Sequence, residues 1–199
     1  MYVDLETANF KIQDGSVHQI GAVFEDEEFK IDLVFDWLSI EHELPIDSNV
    51  SRWFPNVAIK YFIDWIKSIY EKYNIPMDKK NKIRFCGKNP KFDWERLAFL
   101  FKRYGYNIYD YFHYTMFDLD AALVILKDLG LLESGHSIHL DDLIKKLNLP
   151  YKPHDALEDA KATREIYEMI INNLKNIIEY GDSTFYALLE FQYFNRDVE

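Results

Sequence analysis

The sequence predicts an α/β fold in which a mixed β-sheet carries helices on its faces. Two observations predict it. The first third holds short runs rich in Val, Ile and Phe, two of them separated by an acidic turn. Beyond residue 55, segments with apolar residues at helical spacing alternate with further short apolar runs. Three strands, then helix and strand in alternation, then helices, is the order of a mixed sheet in one domain.

Met1 to Leu5 reads as a short strand, and Val17 to Phe24 and Phe29 to Phe35 as two more, with Glu25-Asp-Glu-Glu28 as the hairpin turn between them. Asn56 to Tyr73 predicts a helix, because Ile59, Phe62, Ile63, Ile66, Ile69 and Tyr70 share one face. Pro55 suits its start and Asn74-Ile-Pro76 its end. Lys82 to Cys86 reads as a fourth strand. Pro90 to Tyr104 follows as a helix, with Pro90 in its first turn and Gly105 as its stop. Phe112 to Phe117 reads as a fifth strand and Leu119 to Leu129 as a helix. A short helix over His139 to Leu147 ends at Asn148-Leu-Pro150. A long final helix starts near Asp155. The aromatic residues Phe185, Tyr186, Phe191, Tyr193 and Phe194 predict that residues 177–199 form an extension packed on the body of the domain or on a partner.

The chain has 199 residues, 48% hydrophobic and 17% aromatic, enough to fill one sizeable core. No apolar run is long enough to span a bilayer and the start carries no signal-peptide pattern, so no membrane partner is expected. Cys86 is the single cysteine. It reads as a buried strand residue, and a reducing, cytoplasmic setting fits. The net charge of −11 argues against a protein that coats nucleic acid non-specifically. Residues 79–103 run against that balance, with nine Lys and Arg against Asp93 and Glu95. The stretch reads either as a solvated helix face or as a phosphate-steering patch beside Asp93.

Three segments carry candidate chemistry. Asp4 and Glu6, two apart on a strand, project to the same side. Two carboxylates so close are unfavourable unless a cation sits between them, and an oxygen-rich site suits Mg²⁺ or Mn²⁺. The same spacing also suits a solvated strand edge. Asp93, in Gly87-Lys-Asn-Pro-Lys-Phe-Asp-Trp-Glu-Arg-Leu97, falls in the first turn of a helix, where the helix dipole favours any acid. Asn89 either orients that loop or caps the helix, and Phe92 either stacks on a base or enters the core. In the third segment, the stiff Pro150-Tyr-Lys-Pro153 loop leads into His154, with Asp155 able to cap the last helix and Asp159 one turn inside it. There is no Gly-rich phosphate loop, no Cys/His zinc spacing and no Gly-x-Ser-x-Gly elbow. His136 and His139 read as loop or cap residues.

In this order and with these flanks, the segments resemble the three exonuclease motifs of the DEDDh family, the proofreading-subunit and ribonuclease T-like 3′→5′ exonucleases. The resemblance covers roughly residues 1–176. Asp4-Leu-Glu6-Thr7 matches the first motif, although Ala8 and Asn9 replace its closing Thr-Gly. Only three residues precede Asp4, which implies a short sheet edge or a start at an internal methionine. Asn89, Phe92, Asp93 and Leu97 match the second motif, with Lys88 where the family often has His. His154 and Asp159, followed by Ala160, match the third. Asp155 stands where the sister subclass has Tyr, which favours the histidine subclass.

The resemblance implies an RNase H-like five-stranded mixed sheet with helices on both faces, and two Mg²⁺ or Mn²⁺ ions. Asp4 would bridge both ions, Glu6 and Asp159 would hold one, and Asp93 the other, partly through water. His154 would act as general base, and Thr7, Lys88, Asn89 and Phe92 would contact substrate. The implied reaction removes nucleoside 5′-monophosphates from 3′ ends of single-stranded DNA or RNA. Two other readings stay open: a nucleic-acid or partner-binding module of the same fold, and a proofreading subunit that docks on a polymerase through its aromatic tail. Homodimers occur in the family, and the sequence carries no independent sign of one.

Overall fold

The computed structural model describes residues 1–8, 17–34, 52–132 and 137–180. The elements follow in the order β1 Tyr2–Thr7, β2 Val17–Phe24, β3 Glu27–Leu33, β4 Arg52–Trp53, α1 Pro55–Lys72, β5 Ile83–Gly87, α2 Pro90–Arg103, a 3₁₀ turn Ile108–Asp110, β6 Phe112–Asp118, α3 Leu119–Asp128, α4 Leu140–Lys146 and α5 Ala156–Tyr180. They build one α/β sheet in the order β4-β3-β2-β1-β5-β6. β1 runs antiparallel to β2, and β2 to β3. β5 lies parallel to β1, and β6 parallel to β5.

Five strands of five residues or more therefore form the mixed sheet, as expected, and the two-residue β4 adds an edge beside β3. The hairpin is tighter than the sequence suggested. Phe24 pairs with Glu27, so the turn is only Glu25-Asp26, with Glu25 in the left-handed region at φ 48°. Glu27 and Glu28 enter the ladder: Glu28 falls with Lys30 and Asp32 on the more exposed face, and Glu27 ends the row of Phe29, Ile31 and Leu33. Phe35 and His136 lie outside the described residues, as do residues 181–199 of the aromatic extension. α5 continues past residue 176 to Tyr180, so the boundary expected there falls inside a helix.

The period of two along β1 divides the molecule. Val3 and Leu5 face α1 and α2 and join a core that includes Ile59, Phe62, Ile66, Phe85, Leu97 and Phe101. Tyr2, Asp4 and Glu6 face the other way, toward α5, where Tyr2 meets Tyr167. A second core on that side joins Leu119, Leu123, Leu143 and Ile166 from α3, α4 and α5. Helices thus cover both faces. Among the described residues no helix is long and apolar enough to cross a membrane.

Candidate metal centre

Asp4 and Glu6 stand on the α5 face of β1, opposite Gly21 and Gln19 of β2. A register shift between Glu6 and Thr7 ends regular pairing there, and half-buried Thr7 pairs with Val17. On the other flank β5 ends at Gly87, where an added Cβ would lie 3.2 Å from the Val3 carbonyl oxygen. The chain then reverses through Asn89, at φ 54°, a left-handed conformation that Asn tolerates better than most residues. That reversal starts α2 with Asp93 in its first turn, only 4% exposed. The Asp93 carboxylate hydrogen-bonds the Leu5 backbone. Leu5, like Val3, directs its backbone groups toward the β5 side, where the β1–β5 register pairs Tyr2 with Cys86, so the carboxylate takes the place of a further strand rung.

The third segment closes the site. Asp155 caps α5 by accepting from Leu157 N–H at 3.2 Å and Glu158 N–H at 3.4 Å. His154 precedes it at φ 64°, which turns its own N–H onto Asp159 Oδ2 at 3.1 Å. Asp159 is 6% exposed, and its Oδ1 is buried without a hydrogen-bond partner. The His154 side chain is 78% exposed, with Nε2 3.4 Å from Asp141 Oδ2 of α4. Ligand-capable atoms of Glu6, His154 and Asp159 all lie within 4.8 Å of one another.

Electrostatics ties Asp4 and Asp93 to that group. Burial pushes the Asp4 carboxyl well above the usual range, and the charges of Asp93, Asp159 and Glu6 push it further. Asp93 is pushed up to about 8 by burial, against the pull of Arg96 and of backbone hydrogen bonds from Leu5 and its own N–H. Asp159 rises to about 7, again chiefly through burial, opposed by the His154 N–H and reinforced by Glu6. Glu6 is raised by burial and held back by His154. Burial and like charge together disfavour the ionised forms of all four carboxyls. A bound divalent cation would offset this penalty, and the orphaned Asp159 Oδ1 is a donor it would satisfy. Oxygen donors of this kind fit a hard ion of the Mg²⁺ or Mn²⁺ type.

The expected substrate contacts are placed less uniformly. Asn89 is exposed and makes no side-chain cap. One face of the Phe92 ring is covered by the Arg96 guanidinium, 3.3 Å from the ring centroid. The Lys88 ammonium is 2.7 Å from Asp120 Oδ1 and only 15% of its side chain is exposed, so it is engaged with α3. The basic stretch does not form one patch beside Asp93. Lys102 and Arg103 lie at the far end of α2, roughly 15 Å along the helix axis from Asp93. Lys82 and Arg84 line a cleft of about 550 Å³ with Tyr2, Cys86 and Arg164. Cys86 is half-buried at that cleft rather than sealed in the core.

Three residues of the site escaped the sequence reading. Asp141 showed only as an acid in a helix first turn. Gln19 gave no signal. Gly21 did give one, since an isolated glycine inside a strand marks close approach of another backbone. No protein-family model matches the chain, and no curated protein matches it.

Proposed function

We propose that this chain is a metal-dependent 3′→5′ exonuclease of the DEDDh type with an RNase H-like fold. It would release nucleoside 5′-monophosphates from single-stranded nucleic acid. The observation that carries this reading is convergence: Glu6, His154 and Asp159 bring ligand atoms within 4.8 Å of one another, and Asp4 feels the charges of Asp93, Asp159 and Glu6. The order of the five longer strands, third-second-first-fourth-fifth with only the second antiparallel to the rest, supports the fold assignment.

Asp4, Glu6, Asp93 and Asp159 would hold the divalent ions, which supply Lewis-acid stabilisation of charge on the phosphate. His154 is the site residue with an exposed side chain, and its imidazole has a ring nitrogen able to take a proton. It takes a proton from the attacking water as the water oxygen bonds to phosphorus and the bond from phosphorus to the 3′ oxygen breaks. Asp141 Oδ2 stands beside Nε2 and would help orient the ring. Thr7, Asn89 and Phe92 would contact the terminal nucleotides. Single strands fit better than duplex, because the scissile phosphate must enter the crevice.

The test is a variant series read by product chromatography. Asp4→Ala and Asp159→Ala are expected to lose nucleoside 5′-monophosphate release while keeping a cooperative thermal transition. Full activity in either purified variant overturns the assignment.

A further inference from the structure

We propose that Gln19 is a positioning residue for the metal centre, acting through the N-terminus of α5. The inference rests on the functional reading above and concerns what fixes Asp159 and His154 in place.

The first four N–H groups of a helix lack partners within it. Asp155, as N-cap, serves Leu157 and Glu158, which leaves Ala156 N–H beyond its reach. Gln19 Oε1 accepts that N–H at 2.6 Å, from a strand in another layer of the molecule. Its Nε2 donates at 2.7 Å to Asp32 Oδ1 of β3, so the amide is anchored at both ends. Ala156 is fully buried, and without Gln19 its N–H would have no acceptor in this arrangement.

Two neighbours define the same seat. An added Cβ on Gly21 would stand 2.1 Å from the Ala156 carbonyl carbon and 2.2 Å from Leu157 N, so helix backbone lies directly on strand backbone. Lys30 of β3 forms an ion pair with Asp155. β2 and β3 thus hold the first turn of α5, and β2 is also the strand that pairs with Asp4 and Glu6. Gln19 lies opposite Glu6 in that pairing. The two halves of the carboxylate cluster are set relative to each other through one strand.

Calorimetric Mn²⁺ titration of the full chain tests this. Gln19→Met keeps the length of the side chain and removes both hydrogen bonds. It is expected to bind Mn²⁺ about 10- to 100-fold more weakly, as loss of an outer-shell partner does elsewhere, with an unchanged far-ultraviolet dichroism spectrum. A role in stability alone would lower the melting temperature and leave Mn²⁺ affinity where it was, and that result overturns the proposal. Wild-type protein that binds no Mn²⁺ overturns the metal centre itself and this inference with it. Native-state hydrogen exchange of the wild-type chain gives a check that needs no variant. The Ala156 amide is expected to be protected with the body of α5, and exchange as fast as an open loop contradicts the seat.

Discussion

At the scale of single residues, Asp93 and Asp159 are buried, Asp4 and Glu6 are half-buried, and the proposed base His154 is exposed. Asp93 and Asp159 are almost fully shielded, whereas the His154 ring is largely in solvent. That division fits carboxyls that hold a cation and an imidazole that exchanges protons with water. Replacing His154 with Ala is expected to lower the rate about 10²- to 10⁴-fold, with Mn²⁺ affinity reduced far less than by Asp159→Ala; rate and titration measured on the same preparations check it. Asp4 and Glu6 were legible because strand periodicity alone puts them on one side. Asp93, His154 and Asp159 were legible through their flanking residues. Gln19 was not, since a polar side chain on a strand reads the same whether it faces water or a helix end.

At the scale of elements, the close contact is α5 on β2. Gly21→Ala forces backbone apart at a point where no side chain can yield, and it is expected to destabilise the fold by about 1–3 kcal/mol. A melting temperature lowered by about 2–4 °C for each kcal/mol would register this. An unchanged melting temperature would mean that α5 does not sit on Gly21. Element types followed from periodicity and from the Pro and Gly stops around α1 and α2. What periodicity did not show depends on pairing partners. β4 is two residues whose strand character comes from β3. β6 advances from Phe112 to Met116 while β5 advances only from Ile83 to Phe85, and His113 Nδ1 accepts the Thr115 N–H within that irregular stretch. Neither feature leaves a local pattern in sequence.

At the scale of the whole molecule, charge and stability are linked. Asp4, Asp93 and Asp159 bind protons more tightly in the folded chain than ordinary carboxyls do. Their contribution to the stability of metal-free protein is therefore full below the unfolded carboxyl pKa, about 4, and is lost as pH rises through about 7 and 8. Thermal melts in chelator are expected to show a lower melting temperature at pH 8.5 than at pH 5. Added Mn²⁺ should recover the loss at pH 8.5, because the ion replaces the protons. Equal melting temperatures at the two pH values, with no response to Mn²⁺, would mean that the carboxyls do not interact. Under the proposed function, the net charge of −11 would leave bound cations to supply the local positive charge at the site. The most direct measurement incubates the purified chain with 5′-labelled single-stranded DNA and RNA of one sequence, in Mg²⁺ or Mn²⁺, with EDTA as control. The expected result is a ladder that shortens from the 3′ end, absent in EDTA, with the faster substrate showing which sugar the crevice prefers. Intact strands in every metal-containing lane would contradict a hydrolytic role for the carboxylate crevice.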